Sequence, residues 1–158
     1  MVAIGVALIP CVMVSFILKE RIEGLKHMQL ISGMSLPAYW ISNMMADILK
    51  VYIPCIMMIL ISYIFNVNYA DVWVLFLMLP LALVPFSYVT TFLFGSDSTG
   101  QILTLAIHFL MCGIMAPVVF TMQAIPQTFY IGDKLRWYCC IVPSFALING
   151  ILWSSSGS

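Results

Sequence analysis

Residues 72–96 read VWVLFLMLPLALVPFSYVTTFLFGS, an uncharged stretch without interruption. About 20 helical residues, rising about 1.5 Å each, cross a hydrocarbon core of about 30 Å, so this stretch alone can span a bilayer. Outward from it the charges cluster, leaving further uncharged runs at 1–18, 27–46, 51–70, 98–132 and 137–158. Apolar residues form 63% of the 158 and charged residues 8%, where soluble domains average about 45–50% and about 25%. Six Lys and Arg balance six Asp and Glu, which leaves neither a basic surface for nucleic acid nor an acidic disordered tail. The composition specifies an all-α, polytopic membrane bundle with lipid as its surroundings.

The runs resolve into four expected spanning helices at about 2–18, 36–65, 72–94 and 102–122. Pro10, Pro80 and Pro85 fall inside them, which lipid-embedded helices tolerate when neighbours satisfy the freed backbone. Aromatic residues mark the membrane boundaries of the second helix, with Tyr39 and Trp40 at one end and Tyr63, Phe65 and Tyr69 at the other. GSDSTGQ, residues 95–101, reads as a polar turn. Between the first two helices KERIEGLKHMQLISG, residues 19–33, spaces Ile22, Leu25, Met28 and Ile31 by three with charges between them. That pattern predicts an amphipathic helix at the membrane surface over 20–33. Leu135 to Trp153 is apolar but short, and Pro143, Asn149 and Gly150 interrupt it. It is expected to enter the membrane and return as a re-entrant hairpin, followed by a polar, disordered tail at 154–158. The first loop carries Lys19, Arg21 and Lys26, against Lys134 and Arg136 on the opposite side, an asymmetry that leans toward a cytosolic first loop.

The sequence contains no GxxxxGK[ST], HExxH or GxSxG motif, so no catalytic residue is assigned. His27 and His108 lie apart, and the cysteines sit in apolar runs without ligand spacing, so neither a metal site nor a disulfide framework is expected. Asp47 and Lys50 lie three apart on one helix face. They read as an intramembrane charged pair with Lys50 snorkelling to the interface, or else Asp47 serves an ion or a proton.

The segment after the first helix carries an ordered pattern: Glu20-Arg21, Lys26-His27, Gln29, Ser32-Gly33, Tyr39-Trp40 and Asp47. This resembles the cytosolic segment between the second and third helices of the transmembrane domain in the lipid-moving A subfamily of ABC exporters. IVPSFALINGI, residues 141–151, is similar to the stretch before that family's final helix, although Asn149 departs from the family's usual pattern. The resemblance covers nearly the whole chain and implies a partial exporter domain over 1–153, with the family's ATP-binding domain, extracellular domain and final helix lying outside these residues. It implies that Glu20, Arg21, Lys26, His27 and Gln29 belong to a coupling helix that docks on an ATPase domain. It also implies that this chain holds no cofactor, since ATP and Mg would bind the ATPase domain. The implied partners are that domain, a second transmembrane half and membrane lipid. The implied cargo is a phospholipid or sterol, in the plasma membrane or an endosomal membrane. Two other readings remain open on the residues alone: a membrane scaffold or assembly subunit whose basic loop recruits a cytosolic partner, and an ion-coupled carrier using Asp47.

Overall fold

The computed structural model describes residues 2–24, 31, 33, 35–65 and 72–156. Among them every regular element is helical: α1 (Val2–Ile22), α2 (Leu36–Ile64), α3 (Val72–Thr91), α4 (Asp97–Phe109), a π-helical segment (Leu110–Met115), α5 (Ala116–Ala124), α6 (Phe129–Cys139) and α7 (Pro143–Ser156). Three stretches are long and apolar enough to cross a membrane, namely α2, α3 and the continuous run Asp97–Ala124. α1 has 21 residues, with no charge before Lys19.

Several boundaries differ from those the sequence suggests, each for a local reason. α1 runs past Leu18 to Ile22 because its charged last turn finds partners in neighbouring helices; Gly24, at φ 70°, then turns the chain. The supposed polar turn 95–101 is mostly the first turns of α4. Ser96 caps it by accepting from the Thr99 amide at 3.4 Å, and Asp97 places negative charge in its first turn. The tail is helical through Ser156, where Ser155 and Ser156 donate back to the carbonyls of Leu152 and Trp153 at 2.8 and 2.9 Å. Pro117 explains the π segment. Its ring has no N–H and would collide with the carbonyl four residues back, so the helix widens and the Ala116 amide reaches Met111 instead.

α3 is the central helix. It packs on α1, α2 and α7, and 44% of its apolar window is buried, against 22% for α2 and 28% for Asp97–Ala124. α2 and the run Asp97–Ala124 therefore turn most of their surface outward, with Leu49, Ile53 and Ile102 all exposed. One end of the bundle collects the end of α1, the start of α2, the end of α3 and the start of α4, as the contacts of Glu20 with Tyr39, Arg21 with Thr91 and Ser15 with Asp97 require. α6 packs on α5, and α7 packs on α3 and α5. The turn between α6 and α7 comes immediately before Pro143.

α1 lies along α4, and the close approach depends on Gly100. A Cβ there would overlap Leu18 Cδ1, and Leu18 is itself fully buried with no room to retreat. Gly100→Leu is expected to lower stability by about 1–3 kcal/mol through overpacking. Adding Leu18→Ala should recover part of that loss, a favourable coupling readable from unfolding midpoints of the two single variants and the double variant in detergent.

Candidate functional site

The charged end of the bundle is built from the last turn of α1. Arg21 donates through Nη1 to the Thr91 carbonyl at 3.1 Å and through Nη2 to the Phe94 carbonyl. These carbonyls lie at and just beyond the C-terminal end of α3, where a cation meets the negative pole of the helix; that of Thr91 also accepts from the Phe94 amide at 3.4 Å. Glu20 Oε2 accepts from the buried Tyr39 hydroxyl at 2.7 Å, which ties α1 to the first turn of α2. Trp40 stands edge-on to both Tyr39 and Tyr88, with ring centroids 5.3 and 5.8 Å apart.

About two turns further along α2, Tyr88 of α3 donates to Asp47 Oδ2 at 2.6 Å, while Lys50 Nζ sits 3.0 Å from Asp47 Oδ1. The carboxylate is 6% exposed and each of its oxygens has a partner, as a charge removed from water requires. Lys50 extends outward, its side chain 65% exposed, with its ammonium 5.5 Å from the centre of the Phe16 ring of α1. Glu20, Arg21, Tyr39, Trp40, Tyr88 and Asp47 thus form one continuous polar and aromatic seam joining α1, α2 and α3.

Sequence reasoning found Asp47 and Lys50 but not Tyr88. The available signal was a phenol inside a long apolar run, since a buried Tyr hydroxyl needs a partner. It placed Glu20 and Arg21 on a separate surface helix, whereas both belong to α1 and bond within the bundle. Lys26, His27 and Gln29 lie outside the described residues. Lys19 pairs loosely with Glu23 at 3.9 Å on the surface, a contact of little energetic weight.

The residues of the interrupted C-terminal segment occupy the other side of the structure. Pro143 opens α7, and Ser144 Oγ hydrogen-bonds His108 Nδ1, both side chains fully buried. Phe86 stands edge-on to the same imidazole. Gly150 lets Leu75 approach, since a Cβ there would sit 2.8 Å from Leu75 Cδ1. Asn149 is buried with Oδ1 unpartnered, and Trp153 donates to Gln123 Oε1 at 3.2 Å. Among the described residues no three His, Cys, Asp or Glu side chains cluster to hold a metal ion. The charged groups of this arrangement fix helices to each other.

A family model described as ABC-2 family transporter protein matches residues 1–158. The chain belongs to the ABC-2 transporter family. Among curated proteins, this ABC-2 membrane domain is 24% identical over 160 residues to human phospholipid-transporting ATPase ABCA7, covering 96% of the chain and 8% of that protein. It is 25% identical over 162 residues to rat ATP-binding cassette sub-family A member 2, covering 96% of the chain and 7% of that protein. Mouse phospholipid-transporting ATPase ABCA3 is 27% identical over 114 residues, covering 68% of the chain and 7% of that protein. The chain therefore spans less than a tenth of the length of these relatives. No solved structure matches it. As an ABC-2 membrane domain with long apolar helices, the protein is an integral membrane protein.

Tyr88→Phe removes the hydroxyl that donates to Asp47 Oδ2 and is expected to cost about 1.5–3 kcal/mol, the range for a hydrogen bond to a charged group. Asp47→Asn should cost less, because the amide oxygen still accepts from Tyr88. Unfolding midpoints in detergent check both, and the Tyr88→Phe and Asp47→Ala losses should be well short of additive in the double variant.

Proposed function

We propose that this chain forms membrane-embedded machinery of an ATP-driven lipid transporter, with ATP hydrolysis supplied by a nucleotide-binding domain outside these residues. The observation that carries the reading is the grip at the charged end. Glu20 holds α2 through Tyr39, and Arg21 holds the end of α3, both from the last turn of α1. A soluble domain that pushes on the segment beginning at Glu20 would displace three helices together. Coupling by Glu20, Arg21, Lys26, His27 and Gln29 then needs no catalytic residue in this chain, only rigid attachment. The relatives named phospholipid-transporting ATPases support lipid as cargo and ATP as the energy source.

In this reading α1, α2, α3 and the run Asp97–Ala124 span the membrane, and α6 with α7 forms a re-entrant hairpin. Contacts along the 28-residue run Asp97–Ala124, about 42 Å of helix, support the hairpin. Ser144, at the start of α7, meets His108 near the middle of that run, whereas Trp153, near the end of α7, meets Phe120 and Gln123 at its far end. Gly132 of α6 also lies beside Gln123. The chain thus leaves the far end, dips to about mid-depth and returns. α7 has 14 residues, about 21 Å, less than the roughly 30 Å a crossing requires.

Two experiments test this. The chain, reconstituted in phosphatidylcholine liposomes with its ATP-hydrolysing domain, should show ATP turnover that rises with phospholipid. Glu20→Gln with Arg21→Ala should reduce that stimulation about ten-fold, the kinetic equivalent of about 1.4 kcal/mol, while the amount of assembled protein is retained. Turnover indifferent to phospholipid, or equal stimulation in the variant, overturns the coupling assignment. For the hairpin, a glycosylation acceptor fused after Ser158 should be modified in the lumen, and an unmodified cytosolic tail would mean that α7 completes a crossing.

A further inference from the structure

α3, the central helix, runs unbroken through two prolines, Pro80 and Pro85. Neither ring carries an N–H, so the carbonyls of Phe76 and Leu81, four residues earlier, lose their helical donors. The middle of the helix is thus short of the bonds that keep a helix straight, and proline positions are where sharp kinks occur. Just beyond Pro85, Ser87 donates to the Leu83 carbonyl at 2.8 Å, a back-bond of the kind that bends helices.

α2 holds α3 on both sides of this weak stretch. Beyond Pro85, the Tyr88 hydroxyl donates to Asp47 at 2.6 Å. Ahead of Pro80, the Tyr52 hydroxyl of α2 donates to the Leu77 carbonyl at 3.1 Å, inside the turn that Pro80 interrupts. The two holds differ in strength. Tyr88 makes a short bond to a buried carboxylate, whereas Tyr52 makes a longer bond to a neutral carbonyl, and a charge-assisted bond is about twice as strong as a neutral one. Arg21 adds a further hold on the Tyr88 side, at the Thr91 carbonyl. Ahead of Pro80, Leu75 lies against Gly150 of α7, an apolar contact without direction, so Tyr52 supplies the directed contact there.

We propose that Pro80 and Pro85 form a hinge in α3, that α2 is the splint that sets its angle, and that the Tyr52 bond is the releasable end of the splint. When that bond opens, residues 72–79 swing about the prolines while Tyr88, Thr91 and the charged seam stay in place. Leu75 carries the swing to α7. The device is a property of the packed helices and does not rest on lipid as cargo or on coupling to an ATPase.

Trp73 and Leu49, both exposed, report the angle from α3 and α2, and exposed Val89 is the reference on the held side of the prolines. Trp73 precedes Pro80 by seven residues, about 10 Å of helix, so a change of bend of about 20° moves it by about 4 Å. Nitroxides are attached in pairs through p-acetylphenylalanine, which leaves the native cysteines in place. Distances are read by electron paramagnetic resonance with the full chain in phosphatidylcholine nanodiscs. Tyr52→Phe keeps the ring and removes the bond. It is expected to widen the distance distribution between positions 49 and 73 by about 4 Å and to leave that between 49 and 89 unchanged. Adding Pro80→Ala and Pro85→Ala should return the width to that of the unaltered chain, because a helix with its backbone bonds restored needs no splint. An unchanged width between 49 and 73 in Tyr52→Phe overturns the splint, and this conservative variant decides the matter even where the alanine variants do not fold. Equal widening of both pairs overturns it too, since the whole bundle would then have loosened. Widening that persists in the folded alanine variant overturns the hinge, because the flexibility would lie outside the prolines. None of these readings involves ATP turnover, so failure here is distinct from failure of the coupling assignment.

Discussion

A bilayer offers no water to a polar group at depth, and the arrangement of this bundle follows from that constraint. Hydroxyls on α3 answer it locally: Ser87 and Thr91 donate to carbonyls of their own helix at 2.8 and 2.7 Å. Asp47 and His108 instead reach across to other helices and thereby help decide which helices are neighbours. Asp47 requires Tyr88, which brings α2 to α3; His108 requires Ser144, which holds the start of α7 against α4. Apolar packing between helices gains little over packing against lipid, so these few polar contacts specify the arrangement more than the many apolar ones do.

The charged seam lies at one end of the α1–α2 pair, and an apolar cleft lined by Val6, Cys55 and Phe76 lies at the other. One end of α1 and α2 is fastened by directional bonds of defined length, whereas the other is separated by a space without directional partners. Arg21 extends the same fastening to α3, the central helix.

Helix positions were largely legible in the sequence because span length and charge placement are set by the thickness of the bilayer. The apolar runs containing α2 and α3 gave boundaries within a few residues of the structure. Charged residues at helix ends were less legible, because what extends α1 to Ile22 is acceptance by carbonyls 70 residues away in α3, which leaves no local mark. The same holds for Tyr88, whose partner is 41 residues distant. Polar residues at 95–101 suggested a turn because Ser and Asp serve both turns and helix starts, and only the capping bond of Ser96 separates the two. The interruption before Pro143 was visible because proline acts on its own backbone and needs no tertiary partner.

The π-helical segment Leu110–Met115 has a geometric effect on everything after it. An α-helix turns about 100° per residue, so accommodating one extra residue rotates the following helix by about that angle relative to the preceding one. Gln123 consequently faces a different direction relative to His108 from the one that an uninterrupted helix of the same residues would give it, and both meet α7, at Trp153 and Ser144. Removing a single residue between 110 and 115 would let the segment close into ordinary α-helix and, because the wide turn had absorbed that residue, would leave Gln123 facing Trp153. For this helix the wide turn works as a spacer that takes up one residue without turning the face beyond it.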